Sequence, residues 1–277
     1  MIRLISLLRE VIEKPKAKAI LLAGAPGAGK GSVIRDERLK GLLSNLKVFN
    51  IDDEIKRLSK EQGFTLDQKK ADSGNRSAFA SAMSKARTKL MGTKDKKGEI
   101  SNTIENKESF ILDGTSSSYN ETKKLYDQLK ENGYDVMMIF IYNDLETSLK
   151  NNQDRFEKSG GEDRSLMPSA VYRTWLPVYK NFKAYEELFG DNFVSISNRG
   201  ENETMKDIKQ IFKTYISPYN PKDTPPKSEE DKIKSEKANK EFNQQMEEFL
   251  NSGEIEDIIN TSMSIDDAKT KINQFLS

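Results

Sequence analysis

The chain contains neither cysteine nor histidine among its 277 residues, and these two absences remove much of the usual catalytic repertoire. Without cysteine there are no disulfides, thiolate nucleophiles or cysteine-based zinc sites, and the redox character of the compartment leaves no trace. Without histidine, Ser-His-Asp catalysis, histidine-ligated metals and imidazole general bases are excluded. What is left is carboxylates, lysine and arginine, hydroxyls, backbone amides and hard cations such as Mg²⁺. Phosphoryl transfer needs only that set. The chain also lacks a charge bias: its net charge of +1 gives no global attraction to nucleic acid or acidic lipid. No apolar run approaches membrane-spanning length. The opening Met1–Glu13 is interrupted by Arg3, Arg9 and Glu10 and lacks a small-residue cleavage site, so it reads as an amphipathic helix rather than a signal peptide. The expectation is a cytoplasmic protein without a membrane partner.

Hydrophobic residues make up 35% and charged residues 32%, a balance that suits a soluble chain with a well-solvated surface. Five short segments read as strands: Ala19–Ala23, Val48–Ile51, Ser109–Leu112, Val136–Ile141 and Phe193–Ile196. The first and fourth are almost continuously apolar, as expected for strands covered on both faces. Helical spacing lies between them, in Ser32–Asn45, Asn120–Asn132 and Asp144–Phe156. Strands alternating with helices predict a three-layer α/β fold with a parallel sheet. Two longer stretches interrupt the alternation. Asp53–Lys107 carries a helical segment over Asn75–Leu90 and then a polar tract, and Phe156–Asp191 carries a Gly-Gly loop followed by further helix. Insertions at such places serve substrate pockets and lids, or decorate the surface.

The first strand runs directly into Gly24-Ala25-Pro26-Gly27-Ala28-Gly29-Lys30-Gly31-Ser32. Glycines at these spacings let backbone N–H groups turn inward as an anion nest, and the helix that follows adds its positive end. The lysine then reaches the β- and γ-phosphates, the Walker A arrangement. Gly31 stands where the usual pattern has the magnesium-binding hydroxyl. The form resembles the loop of adenylate-kinase-like nucleotide kinases position for position, and that resemblance implies that Ser32 supplies the hydroxyl.

Asp52 and Asp53 follow the second strand, where a carboxylate can orient or deprotonate an acceptor hydroxyl or simply cap the next helix. As neighbours they point in different directions, so one faces the site. Asp113 ends the third strand in a Walker B position or in an Asp-Gly turn. Arg155 and Arg164 flank Ser159-Gly160-Gly161 and can swing over phosphates as a lid closes, or form surface ion pairs. Arg76 and Arg87 lie on the Asn75–Leu90 helix, available to an anionic acceptor or to solvent.

The set resembles zeta-toxin-like P-loop kinases, a group close to polynucleotide 5′-kinases and small-molecule phosphotransferases. The resemblance is carried by Gly24–Ser32, Asp53-Glu54-Ile55-Lys56, Asp113-Gly114-Thr115, Gly133-Tyr134-Asp135-Val136, Arg155 and Gly160–Pro168, and spans roughly residues 17–200. It implies a P-loop NTPase with sheet order 2-3-1-4-5 and an ATP-dependent kinase using Mg²⁺. It further implies that Lys30 binds phosphates, Asp53 is the catalytic base, Asp113 or Thr115 assists metal or substrate, with Ser32 and Asp113 the metal-side donors, and Arg155 and Arg164 stabilise the transition state. The acceptor is left open among a nucleotide sugar, a nucleotide and a nucleic-acid 5′ end.

The expected organisation is a kinase domain over residues 1–216 with its lid near 156–168, a charged, proline-containing linker over 217–240, and a helical extension over 241–277. From Ser217 onward eight lysines stand against thirteen acidic residues, so this end can also be read as a docking tail for a protein partner. On that view the chain is a nucleotide-gated binding module. A plain ATPase is the other alternative.

Overall fold

Strand β1 (Lys18–Ala23) is buried on both faces, and its side chains divide by alternation: Ala19, Leu21 and Ala23 enter one hydrophobic core, Ile20 and Leu22 another. β4 (Asp135–Tyr142) repeats this division, with Val136, Met138, Phe140 and Tyr142 on one side and Met137, Ile139 and Ile141 on the other. Both strands are central and take helices on each face, which explains their unbroken apolar runs. A computed structural model describes residues 16–43, 46–93, 95–198 and 228–277. The helix expected over Met1–Glu13 lies outside the described residues.

The sheet is five-stranded and parallel in the order 2-3-1-4-5, as expected, with β2 (Lys47–Asn50), β3 (Phe110–Asp113) and β5 (Phe193–Ser197) completing it. Its register aligns the carboxyl ends that matter. Leu22 of β1 lies opposite Asp113, and Asp113 lies opposite Asn50 of β2. The order reverses between β1 and the neighbours that follow it on either side, so a crevice opens beyond these ends.

The segment expected as one helix over Ser32–Asn45 is two in the described residues, α1 (Lys30–Arg35) and α2 (Glu37–Leu43), divided at Asp36, whose ψ of 132° is not helical. α3 (Ile51–Gln62) and α4 (Ser73–Met91) pack on each other around Ile55, Leu58, Phe64, Phe79 and Ala82, forming a small satellite core. The polar tract that follows α4 contains a further short helix, α5 (Glu99–Glu105), with Ile100 and Ile104 buried. α6 (Tyr119–Glu131) and α7 (Leu145–Lys158) lie close to their expected spans, capped by Ser118 and Asp144. The long helical stretch beyond the Gly-Gly loop is broken at Asn181 into α8 (Pro168–Lys180) and α9 (Phe182–Phe189).

The C-terminal helices are part of the core. α10 (Glu229–Asn251) begins at the Ser228 cap, within the stretch read as linker, and its second half buries Met246, Phe249 and Leu250 beside Trp175 of α8. α11 (Glu254–Thr261) adds Ile255 and Ile258 to the same core. The chain then crosses the free edge of β5, where the Met263 N–H donates to Ser195 O at 2.8 Å. α12 (Ile265–Leu276) places Ala268, Ile272 and Phe275 in the core on the opposite face of the sheet. The extension therefore straps both faces and covers an edge that would otherwise be open to pairing. Among the described residues of the extension, the first turns of α10, before Asn239, are a solvated, charged helix. Among the described residues no helix is long and apolar enough to cross a membrane.

Candidate active site

The chain leaves β1 at Ala23 and turns through the glycine-rich loop into α1, whose first residue is Lys30. Gly27 and Gly29 have φ of +81° and +86°, the left-handed region that side-chain-bearing residues rarely adopt. Space is closed there as well: a Cβ on Gly27 would strike the Ser148 carbonyl, and one on Gly29 the Asn198 amide. These two glycines let the loop lie directly on α7 and on the end of β5. Three bonds fix it there. Asn151 Nδ2 donates to Gly27 O at 2.9 Å, Asn198 Nδ2 to Ala28 O at 3.0 Å, and the Gly24 N–H to Thr115 O at 3.2 Å. Ala25 and Ala28 are buried beneath the loop, while Pro26, Gly31 and the exposed Ser32 line the cleft above it.

Lys30 Nζ folds back on the loop and donates to Gly24 O at 2.7 Å and Ala25 O at 3.2 Å. Burial pushes its pKa down to about 8; Asp113 and Asp52 oppose that, and the charges of Arg164 and Arg155 add to it. A buried ammonium satisfied only by carbonyls, with two guanidinium groups nearby, gains from any anion that enters.

The cleft has a volume of about 1380 Å³ and is bounded by the loop, the carboxyl ends of β2 and β3, α3, α4 and the lid. Asp113 sits at its floor. Burial, foremost, raises its pKa, with Asp52 and Asp53 adding to the effect and Lys30 and Arg155 opposing it. Its Oδ2 accepts from Asn50 Nδ2 at 2.8 Å. The same Asn50 caps α3, because its Oδ1 accepts the Asp52 N–H at 2.8 Å. Neither aspartate is therefore the cap, and both stand in the first turn of α3, stabilised by the positive helix end.

The two aspartates separate as adjacent helical residues must. Asp52, with its side chain 14% exposed, forms ion pairs with both arginines, its Oδ1 lying 2.8 Å from Arg164 Nε and its Oδ2 3.4 Å from an Arg155 guanidinium nitrogen. Asp53 is exposed on the cleft wall, and among the described residues it has no ion pair. Arg155 also reaches Asp163 at 3.3 Å, and Lys56 pairs with the same carboxylate. Burial alone would raise the Asp163 pKa, but the Lys56 hydrogen bond and the Arg155 charge hold it below the usual value. Lys30, Asp53, Asp113, Arg155, Arg164 and Ser32 all line this one cleft. Thr115 lines it too, and its carbonyl supports the loop. Arg87 lines the far end and pairs with Glu121 at 2.6 Å, whereas Arg76 lies outside the lining.

The residues that sequence reasoning passed over are mainly asparagines. Asn50, Asn151, Asn152 and Asn198 each bind backbone or a site carboxylate. Asn151 and Asn152 stand four and three residues before Arg155, so all three share one face of α7, a spacing visible in the sequence. For the donor set, an exposed hydroxyl at Ser32 and a partly buried carboxylate at Asp113 suit a hard, oxygen-preferring cation. Among the described residues no group of three or more acidic side chains forms a metal cage, so phosphate oxygens and water would have to complete its coordination.

The family model described as zeta toxin matches residues 6–210. No curated protein gives a significant match. Among solved structures, similarity is found to the PezAT chromosomal toxin-antitoxin system of Streptococcus pneumoniae at 18% identity, over 87% of this chain and 93% of that one, with a TM-score of 0.46. The AvrRxo1-ORF1:-ORF2 complex with ATP is similar at 19% identity, over 68% of this chain and 56% of that one, TM-score 0.46. The Pnkp1/Rnl/Hen1 RNA repair complex is similar at 15% identity, over 63% and 48%, TM-score 0.40.

Proposed function

The chain belongs to the zeta toxin family, and from that premise we propose that it is a kinase that moves the γ-phosphoryl group of Mg-ATP onto an acceptor hydroxyl. The observation that carries the reading is convergence. A lysine-bearing phosphate loop, a carboxylate free to take a proton and two arginines, one on α7 and one just beyond the Gly160-Gly161 pair, line one cleft.

In this reading the loop amides and Lys30 bind the β- and γ-phosphates, and Lys30 exchanges its two carbonyl partners for phosphate oxygens. Asp53 orients the acceptor hydroxyl and takes its proton as the new oxygen–phosphorus bond forms and the bond to ADP breaks. Asp52 cannot serve as readily, because both its oxygens face arginines. Arg155 and Arg164 neutralise charge on the transferring group. Ser32 and Asp113 would hold the magnesium ion, which screens the phosphates when bound. The acceptor is a hydroxyl of a nucleotide sugar, a nucleotide or a nucleic-acid 5′ end.

The test is to incubate the full chain with γ-labelled ATP and each acceptor class, alongside Lys30→Ala and Asp53→Asn. Label is expected in one acceptor class, lost in Lys30→Ala and strongly reduced in Asp53→Asn. Full transfer by Asp53→Asn would overturn its assignment as the base. The fold of the C-terminal helices speaks against a free docking tail, since their apolar residues are spent within this chain.

A further inference from the structure

Arg164 must be held in a defined place if it is to meet a phosphoryl group, yet it follows a Gly160-Gly161 pair with φ of +64° and +90°. Its side chain pairs with Asp52, and its backbone is held by the residues after it. Ser165 is 2% exposed, and its N–H donates to Leu66 O at 3.0 Å while its carbonyl accepts the Gln68 N–H at 2.9 Å. This joins the lid root to the segment between α3 and α4. On the other side, Leu166 is gripped by a single side chain. Asn152 Nδ2 donates to Leu166 O at 2.8 Å, and the Leu166 N–H donates to Asn152 Oδ1 at 3.0 Å. Leu166 itself packs against the satellite core of α3 and α4.

Asn152 is 4% exposed, so neither of its polar atoms has water to fall back on. A planar amide carries one donor and one acceptor side by side, as the edge of a strand does, and it can pair with both backbone groups of Leu166 at once. Aspartate can only accept, and leucine can do neither. The adjacent Asn151 holds the phosphate loop at Gly27, and Arg155 projects into the cleft one turn later. Three successive functions along α7 thus share one rigid element.

We infer that Asn152 is a positioning residue: it clamps Leu166 and thereby sets Arg164 over the phosphate site. The inference rests on the phosphotransferase reading for its consequence, but the clamp itself can be tested without turnover. Asn152→Asp keeps the size and loses the donor to Leu166 O. In the full chain it is expected to speed tryptic cleavage at Arg164–Ser165 about tenfold, because cleavage follows the population of opened lid. The unfolding transition monitored by Trp175 fluorescence should show the fold intact. ATP turnover should fall about 10–100-fold, the scale of a displacement near one ångström, while the Kd of a fluorescent ATP analogue stays within about twofold. In an Arg164→Ala background the same substitution should change turnover by less than about threefold, because both act through one group. Should Asn152→Asp fail to fold, Asn152→Ala is judged by the same criteria.

Unchanged cleavage at Arg164–Ser165, or a turnover loss that persists in full without Arg164, would overturn the clamp. A protein with no ATP turnover under any condition would overturn the phosphotransferase reading instead, and the proteolysis would then decide the clamp alone.

Discussion

At the scale of single residues, Lys30 makes the most direct statement about what the cleft is for. Its pKa near 8 lies below the ordinary lysine value of 10.5, with burial as the main cause. The sign follows. Below about pH 8 the folded state carries the full cost of a buried charge, and that cost is relieved as pH rises from about 8 toward 10.5, where only the unfolded chain keeps the proton. A bound phosphate would favour the charged form, so nucleotide affinity should fall about tenfold per pH unit above 8. Titrating a fluorescent ATP analogue between pH 7 and 9 measures this, and Lys30→Met should bind weakly at every pH with no such slope. The two aspartates are separable in the same way. Asp53→Asn should lower phosphoryl transfer by about 100-fold or more, the usual scale for a lost general base, and leave the nucleotide Kd nearly unchanged. Asp52→Asn removes the charged partner of Arg164 and one of the two carboxylates facing Arg155, and should change nucleotide affinity. Rapid-quench kinetics beside equilibrium binding distinguishes these patterns. The sequence placed an aspartate pair at the right strand end and could not assign their directions, because that depends on where Asn50 starts the helix. It also passed over the asparagines, whose value lies in partners that only the fold brings near, as with Asn151 and Gly27 or Asn198 and Ala28, more than a hundred residues apart.

At the scale of elements, the strands were the most legible part. Near-continuous apolar runs such as those in β1 and β4 admit few other places in a parallel sheet, and the glycine loop fixed where the first helix begins. The helices were less so. One expected helix divides at Asp36 and another at Asn181, where nothing in the apolar spacing marks a break. The C-terminal helices show the limit most clearly. Their charge and the prolines before them suggest a tail, but the apolar positions at Met246, Phe249, Ile258, Ile272 and Phe275 have partners that only the folded sheet reveals. Phe249 is 2% exposed and meets Trp175 edge-on at 5.9 Å. Phe249→Ala should therefore cost about 3–5 kcal/mol, as for other buried aromatic truncations. Urea unfolding followed by the fluorescence of the single tryptophan would show it. A cost below about 1 kcal/mol would mean that the extension is not part of the cooperative core.

At the scale of the whole molecule, the sheet brings together residues from five separate stretches of chain at its carboxyl edge, and a strap from the C-terminal end holds the far strand. The glycine loop was legible because its backbone conformation dictates glycine at Gly27 and Gly29. The opposite wall of the cleft was not, since it is built by the α3–α4 insertion and the segment after Gly161, whose packing depends on contacts such as Ser165 with Leu66 and Gln68. With no histidine or cysteine in the chain, the chemistry rests on that arrangement of carboxylates, cations and amides. The partition of label from γ-labelled ATP between hydroxyl acceptors and water, followed through a single turnover, tests this most directly. The account predicts that label enters an acceptor faster than it appears as inorganic phosphate, and that Lys30→Ala abolishes both. Label released only to water, whichever acceptor is present, would contradict it.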